Sequence, residues 1–134
     1  GTAVRSLDYA IAYTHIKPVN TVSTYYQGKQ PTTVSNDTGS IWLHYTVRHG
    51  LPTGLGFGAG SRYTGSSWGT TTNDLHVPSF TLFDAALDYT LERWRFAVNA
   101  RNIGDHRYVN GCSNQFFCAY GTPRTVIGTA TFTF

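Results

Sequence analysis

The clearest alternation of polar and apolar positions lies in the last stretch of the chain. From Thr125 onward, Thr125, Ile127, Thr129, Thr131 and Thr133 fall on one side. Val126, Gly128, Ala130, Phe132 and Phe134 fall on the other. A period of two marks a β-strand whose faces meet different surroundings. One face is mostly threonine; the other is apolar and ends in two aromatic rings. Such a face requires a cover, and a strand of about ten residues with aromatics near its end also fits a transmembrane β-barrel.

The same period recurs five times upstream, predicting strands over 7–14, 40–47, 55–63, 80–91 and 94–102. Leu7, Tyr9, Ile11 and Tyr13 make one aromatic-rich face, and Ile41, Leu43, Tyr45 and Val47 another. Phe83, Ala85, Leu87, Tyr89 and Leu91 continue the pattern, as do Trp94, Phe96, Val98 and Ala100. In 55–63 the polar side is Gly56, Gly58, Gly60 and Arg62. Three glycines in register predict close approach by another part of the molecule, or a bend. No stretch reads as a helix. The connections alternate: long at 15–38, 64–78 and 103–123, short at 48–54 and 91–92. Short turns on one side and long loops on the other are the mark of an antiparallel, up-and-down transmembrane barrel. A sandwich shows no such strict alternation.

Composition supports this reading. Charged residues make up 13% of the 134 positions and aromatics 15%, against roughly 25% charged in an ordinary soluble domain. Mean hydropathy is −0.24, which excludes a helical span but not a barrel, where half of each strand is polar. The net charge is +3, yet the basic residues are scattered, which argues against nucleic acid as a partner. Gly1-Thr-Ala-Val lacks an export-signal pattern, so an exported chain of this sequence is expected to be mature or a fragment. The two cysteines, Cys112 and Cys118, predict a local disulfide in an oxidising compartment.

The polar faces gather the charges. Asp84, Asp88, Arg95, Asn99 and Arg101 are expected to face a barrel lumen, and the outward strand faces are expected to carry no charge. A two-residue turn at Leu91-Glu92 would set Asp88 opposite Arg95 and Asp84 opposite Asn99. Ion pairing there is favoured over a catalytic carboxylate pair. The five histidines are dispersed without metal-ligand spacing, and no catalytic motif occurs. Tyr63, Tyr89, Trp94, Phe132 and Phe134 read as an interfacial aromatic girdle.

Several segments in order carry a family resemblance: Gly58-Ala-Gly-Ser-Arg-Tyr-Thr-Gly-Ser-Ser67, Val77-Pro-Ser-Phe-Thr-Leu-Phe-Asp-Ala-Ala86, Asn102-Ile-Gly-Asp-His-Arg-Tyr108, and Cys112 to Cys118 with Gly121-Thr-Pro-Arg-Thr125. Together they resemble the C-terminal end of TonB-dependent siderophore receptors, nearest the ferric-hydroxamate group. The sequence departs from the family pattern at Val34-Ser-Asn-Asp37, at Ile103-Gly104 and at Ser113. The resemblance implies that residues 1–134 are the last strands of a plugged barrel of about 22 strands, without the plug. It implies an outer-membrane receptor that binds and takes up ferric siderophores without catalysis. The iron would arrive inside its chelator, with no protein cofactor or metal ligand.

The implied partners are the ferric siderophore, the TonB–ExbB–ExbD complex acting through a missing N-terminal region, outer-membrane lipid and the barrel-assembly machinery. Phe134 would be the assembly signal. Phe116, Phe117 and Tyr120 would be held over the barrel mouth by the disulfide, with Trp68 a further candidate contact. For each aromatic, loop packing is the competing reading, and it is preferred for Trp68, Tyr25 and Tyr26. Two other functions stand beside this one. A porin or a receptor for another nutrient would lack an upstream plug or a TonB-contacting segment. A soluble all-β binding module would be monodisperse without detergent.

Overall fold

The computed structural model describes residues 1–4, 6–48 and 53–134. Its strands are β1 (Thr2–Val4), β2 (Leu7–His15), β3 (Asp37–Thr46), β4 (Leu55–Thr64), β5 (Ser67–Trp68), β6 (His76–Val77), β7 (Phe80–Leu91), β8 (Trp94–Arg101), β9 (Val109–Cys112), β10 (Cys118–Tyr120) and β11 (Thr125–Phe132). The six long ones are those the alternation predicts. With β1 they form a seven-stranded sheet in the order β1-β2-β3-β4-β7-β8-β11. Neighbours are antiparallel throughout. Strands follow one another in chain order, which is up-and-down topology. β5–β6 and β9–β10 are small hairpins folded from within the long loops. The short connection at 48–54 lies mostly outside the described residues. Its mouth is closed where Val47 N–H donates to Leu55 O at 2.8 Å.

The sheet is a single layer. Tyr9, Ile11, Leu43, Phe57, Leu87, Phe96, Val98 and Val126 are all exposed, and the ladders place them on one face. The most buried side chains among the described residues are Val77, Leu82, Cys112, Ser67 and Asn102. All of these sit at or near the long-loop end. An uncovered apolar band with charges on the opposite face is the arrangement of a barrel wall between lipid and lumen.

Two expectations are corrected. The β7–β8 turn is Glu92-Arg93, with Leu91 paired to Trp94 and Asp88 opposite Ala97, not Arg95. Glu92 takes a left-handed backbone, φ 52°, which no glycine or asparagine announces. A shift of two residues leaves every side chain on its predicted face. The outward face is also not free of charge. β2 runs to His15 and β3 starts at Asp37, paired residues at the loop end of that face. His15 Nδ1 and the Tyr13 hydroxyl lie 2.7 and 2.6 Å from Asp37 Oδ1.

The glycine row in β4 is explained by close approach. A Cβ at Gly60 would stand 2.5 Å from Trp42 Cε3, and one at Gly58 would run into Trp42 Cζ2. The Trp42 indole therefore lies flat across β4, flush with the polar face. Any side chain there would lift it.

Candidate functional site

The ionic residues of the polar face form a ladder across strands. Arg62 on β4 donates to Asp84 on β7 from Nε at 2.6 Å and from Nη2 at 3.0 Å. The Asn102 N–H adds a third donor to Asp84 at 2.9 Å. Asp88 lies 2.9 Å from His44 Nε2, and Arg95 reaches it only diagonally, at 3.9 Å. Sequence reasoning had paired Asp84 with Asn99 and overlooked Arg62, because the partner comes from the strand on the other side, across a long loop.

At the loop end the sequence builds a cap. Asn102 leaves β8 in a left-handed conformation, φ 51°. Its side-chain amide donates to His106 O at 2.9 Å and to Thr122 O at 3.1 Å, while His106 N–H donates to its Oδ1 at 2.9 Å. Both ends of the last loop are thereby tied to one buried side chain. Asn tolerates left-handed φ and bonds its own neighbourhood, so Asn102-Ile-Gly-Asp105 carried a turn signal whose structural weight was missed.

Beyond this base, Cys112 and Cys118 form a disulfide across the β9–β10 hairpin. Asn114 Oδ1 accepts the N–H groups of Phe116 and Phe117 at 2.8 and 3.0 Å, so these rings occupy the hairpin tip. Cys112 packs beside Gly69, where a Cβ would come within 2.7 Å of Cys112 Cβ. The last loop is thus seated on the β5–β6 hairpin. That hairpin holds the first loop in turn, since Thr33 N–H donates to Trp68 O at 2.8 Å.

The first and last loops, with the ends of β3 and β4, border an open cleft of about 920 Å³. Thr33, Val34 and Ser35 form part of one wall; the disulfide, Phe116 and Phe117 form the other. No charged side chain among the described residues lines it. Phe116 and Phe117 are 87% and 70% exposed, so their apolar surface is available to whatever enters. The other two aromatic candidates are not brought here. Tyr120 is exposed but is not part of the cleft lining. Trp68 packs edge-on against His76, with centroids 5.7 Å apart, and borders a separate pocket of about 230 Å³ beside Asn73.

Nearby, the hydroxyls of Thr70 and Thr72 hold the Asp74 carboxylate below its usual pKa. No cluster of three His, Cys, Asp or Glu side chains comes together among the described residues; His49 lies outside them. At the opposite, short-turn end, Trp94 stands 4.9 Å from Phe132, and Phe132 meets Phe134 edge-on at 5.4 Å. This aromatic group sits on the apolar face, with Phe134 fully exposed.

Comparison with known proteins bears on the family and on the fold. A model of the family described as TonB dependent receptor-like, beta-barrel, matches residues 2–103. The ferrichrome outer membrane transporter/phage receptor of Escherichia coli K12 is 37% identical over 134 residues, covering 96% of this chain and 18% of its own length. The ferrioxamine B receptor of Salmonella typhimurium SL1344 is 32% identical over 133 residues, covering 96% and 19%. In fold, the crystal structure of the ferric yersiniabactin uptake receptor FyuA from Yersinia pestis superposes with a TM-score of 0.83 at 20% identity, over 98% of this chain and 22% of that one. The chain therefore spans about a fifth of the length of these relatives.

Proposed function

Since the chain belongs to the TonB-dependent receptor family, we propose that it supplies the C-terminal strands and the last three outer loops of an outer-membrane receptor for ferric siderophores. The observation that carries this reading is the uncharged cleft of about 920 Å³ at the long-loop end, with two exposed phenylalanines on its rim. A siderophore wraps its iron in its own oxygen ligands, so the receptor meets an organic surface. Aromatic and small polar side chains suit that surface. The iron is cargo and calls for no protein ligand.

The chemistry of the lining narrows the substrate class. A ferric trihydroxamate carries no net charge, since three singly charged hydroxamates balance the metal. A ferric tricatecholate is a trianion and would enter this cleft without a cationic partner, at a desolvation cost. Chelates with an uncharged iron centre are favoured over the trianion, in line with the ferrichrome and ferrioxamine B named for two relatives.

The chain contributes binding and part of a transport wall, with no catalytic step. The remaining strands, the plug and the segment that contacts the TonB complex would belong to the rest of a longer polypeptide. Phe134 would present the terminal aromatic to the assembly machinery.

The test is uptake of radioactive iron by iron-starved cells whose only such receptor is the full-length protein. Ferrichrome and ferrioxamine B should be accumulated in preference to a ferric tricatecholate. Failure to accumulate any ferric chelate would refute the reading.

A further inference from the structure

The cleft wall opposite the phenylalanines is held in an unusual way. Thr33 has a left-handed backbone, φ 64°, an unfavourable state for a β-branched residue. Each residue of the wall is pinned by its own hydrogen bond. Thr33 N–H donates to Trp68 O at 2.8 Å, Gln30 Nε2 to Val34 O at 2.5 Å, and Ser35 Oγ to Gly65 O at 2.8 Å.

Gln30 is in turn fixed by Asn73. The Asn73 amide oxygen accepts the Gln30 N–H at 2.8 Å, and its amide nitrogen donates to Gln30 O at 2.9 Å. The same nitrogen also lies 3.2 Å from Thr70 O. This reciprocal pair closes a ring between a side chain and a backbone 43 residues apart, the geometry with which one strand edge recognises another. Asn73 holds φ 57°, so its backbone is adapted to the position as well.

Neither Asn73 nor Gln30 lines the cleft; both border the smaller pocket behind it. We propose that Asn73 and Gln30 form a clasp that sets the distance between the Thr33–Ser35 wall and the Phe116–Phe117 tip, and so selects ferric chelates by size and shape. They are positioning residues, acting through Val34. The inference rests on the proposed siderophore function and adds to it the residues that tune specificity from outside the contact surface.

The relay is directional. Loss of the Asn73 amide frees the Gln30 backbone, which loosens the carboxamide that holds Val34. The strained Thr33 then relaxes toward an ordinary φ, and the wall moves. The disulfide hairpin packs at Gly69, on the same β5–β6 hairpin that carries Asn73, and meets Thr33 at Gly111.

The experiment compares the full-length receptor with Asn73→Gly and Asn73→Asp. Glycine accepts the left-handed backbone but removes the amide, which separates the clasp from backbone strain. Aspartate keeps the acceptor for Gln30 N–H and loses the donor. Two readouts are taken. Amide hydrogen exchange across residues 30–36, without ligand, should be slow in the wild type, faster in Asn73→Gly by roughly tenfold or more, and intermediate in Asn73→Asp. Affinities for ferrichrome and ferrioxamine B, read by fluorescence quenching, should change unequally in Asn73→Gly, so that their ratio shifts by about threefold or more. Unchanged exchange would overturn the clasp. Faster exchange with an unchanged affinity ratio would overturn its role in selection. If the wild type binds neither chelate, the siderophore reading fails, and the exchange result alone still decides whether the clasp exists.

Discussion

The guanidinium of Arg62 grips the carboxylate of Asp84 through two hydrogen bonds of 2.6 and 3.0 Å, joining β4 to β7 on the polar face. Asp84 also receives the N–H of Asn102, the residue on which the last loop turns. One carboxylate on the polar face therefore couples the sheet to the base of the last loop. Asp84→Ala should lower the stability of the full-length receptor by about 1–3 kcal/mol, since it strands a buried N–H and a paired cation. Asp84→Asn should cost less, because its amide oxygen can still accept from Asn102. Urea midpoints in micelles measure the first effect. Protease sensitivity of residues 103–124 reports whether the loop base has come loose.

Gly58 and Trp42 make a second coupled pair. Gly58→Val should block folding, because the new side chain occupies the space of the Trp42 indole. Trp42→Ala in the same chain should restore much of the folded fraction. The heat-modifiable band of the folded barrel on a denaturing gel gives that fraction. Failure of the double variant to recover would show that Gly58 is required for another reason.

The orientation of the sheet is tested on two adjacent positions of β11. Ala130 lies on the apolar face, paired to Phe96, and Thr129 lies on the polar face, paired to Ala97. Ala130→Arg should cost about 1–2 kcal/mol, because it lies two residues from the aromatic group at the short-turn end, between the midplane, where Arg costs most, and the interface. Thr129→Arg should stay within about 0.5 kcal/mol, as a solvated lumen position. Reversible unfolding of the full-length receptor from lipid vesicles measures both.

The disulfide is a local device. With a sequence separation of 6, the bridge lies toward the lower end of disulfide stabilisation, about 2 kcal/mol. A Cys112→Ser, Cys118→Ser variant should leave the barrel melting temperature nearly unchanged, while cleavage between residues 113 and 117 becomes much faster. A drop in barrel stability of the same size as the loop effect would contradict a local role.

Strands and their faces were legible in the sequence because lipid and lumen impose a strict period of two, and a register error of two residues leaves that period intact. The Arg62–Asp84 and His44–Asp88 pairs were not legible. Their partners meet across a long loop, whose length says nothing about register. The ends of β2 and β3 were hidden for a related reason. His15 and Asp37 are polar in sequence and look like loop, yet they satisfy each other on the outward face. The disulfide was legible from two nearby cysteines. The cleft was half legible, through Phe116 and Phe117 at a constrained tip. Its other wall depends on Gln30 and Asn73, two amides in segments that carry no periodic signal at all.

The most direct test of the account is titration of the purified full-length receptor with ferrichrome, beside a Phe116→Ala, Phe117→Ala variant that keeps its disulfide. The account predicts saturable binding by the wild type and a loss of roughly tenfold or more in the variant, the scale of about 1.4 kcal/mol or above for two aromatic contacts. Equal affinity in the two proteins would remove the cleft from the binding site, and no binding by the wild type to ferrichrome or to any other ferric siderophore would contradict the functional reading itself.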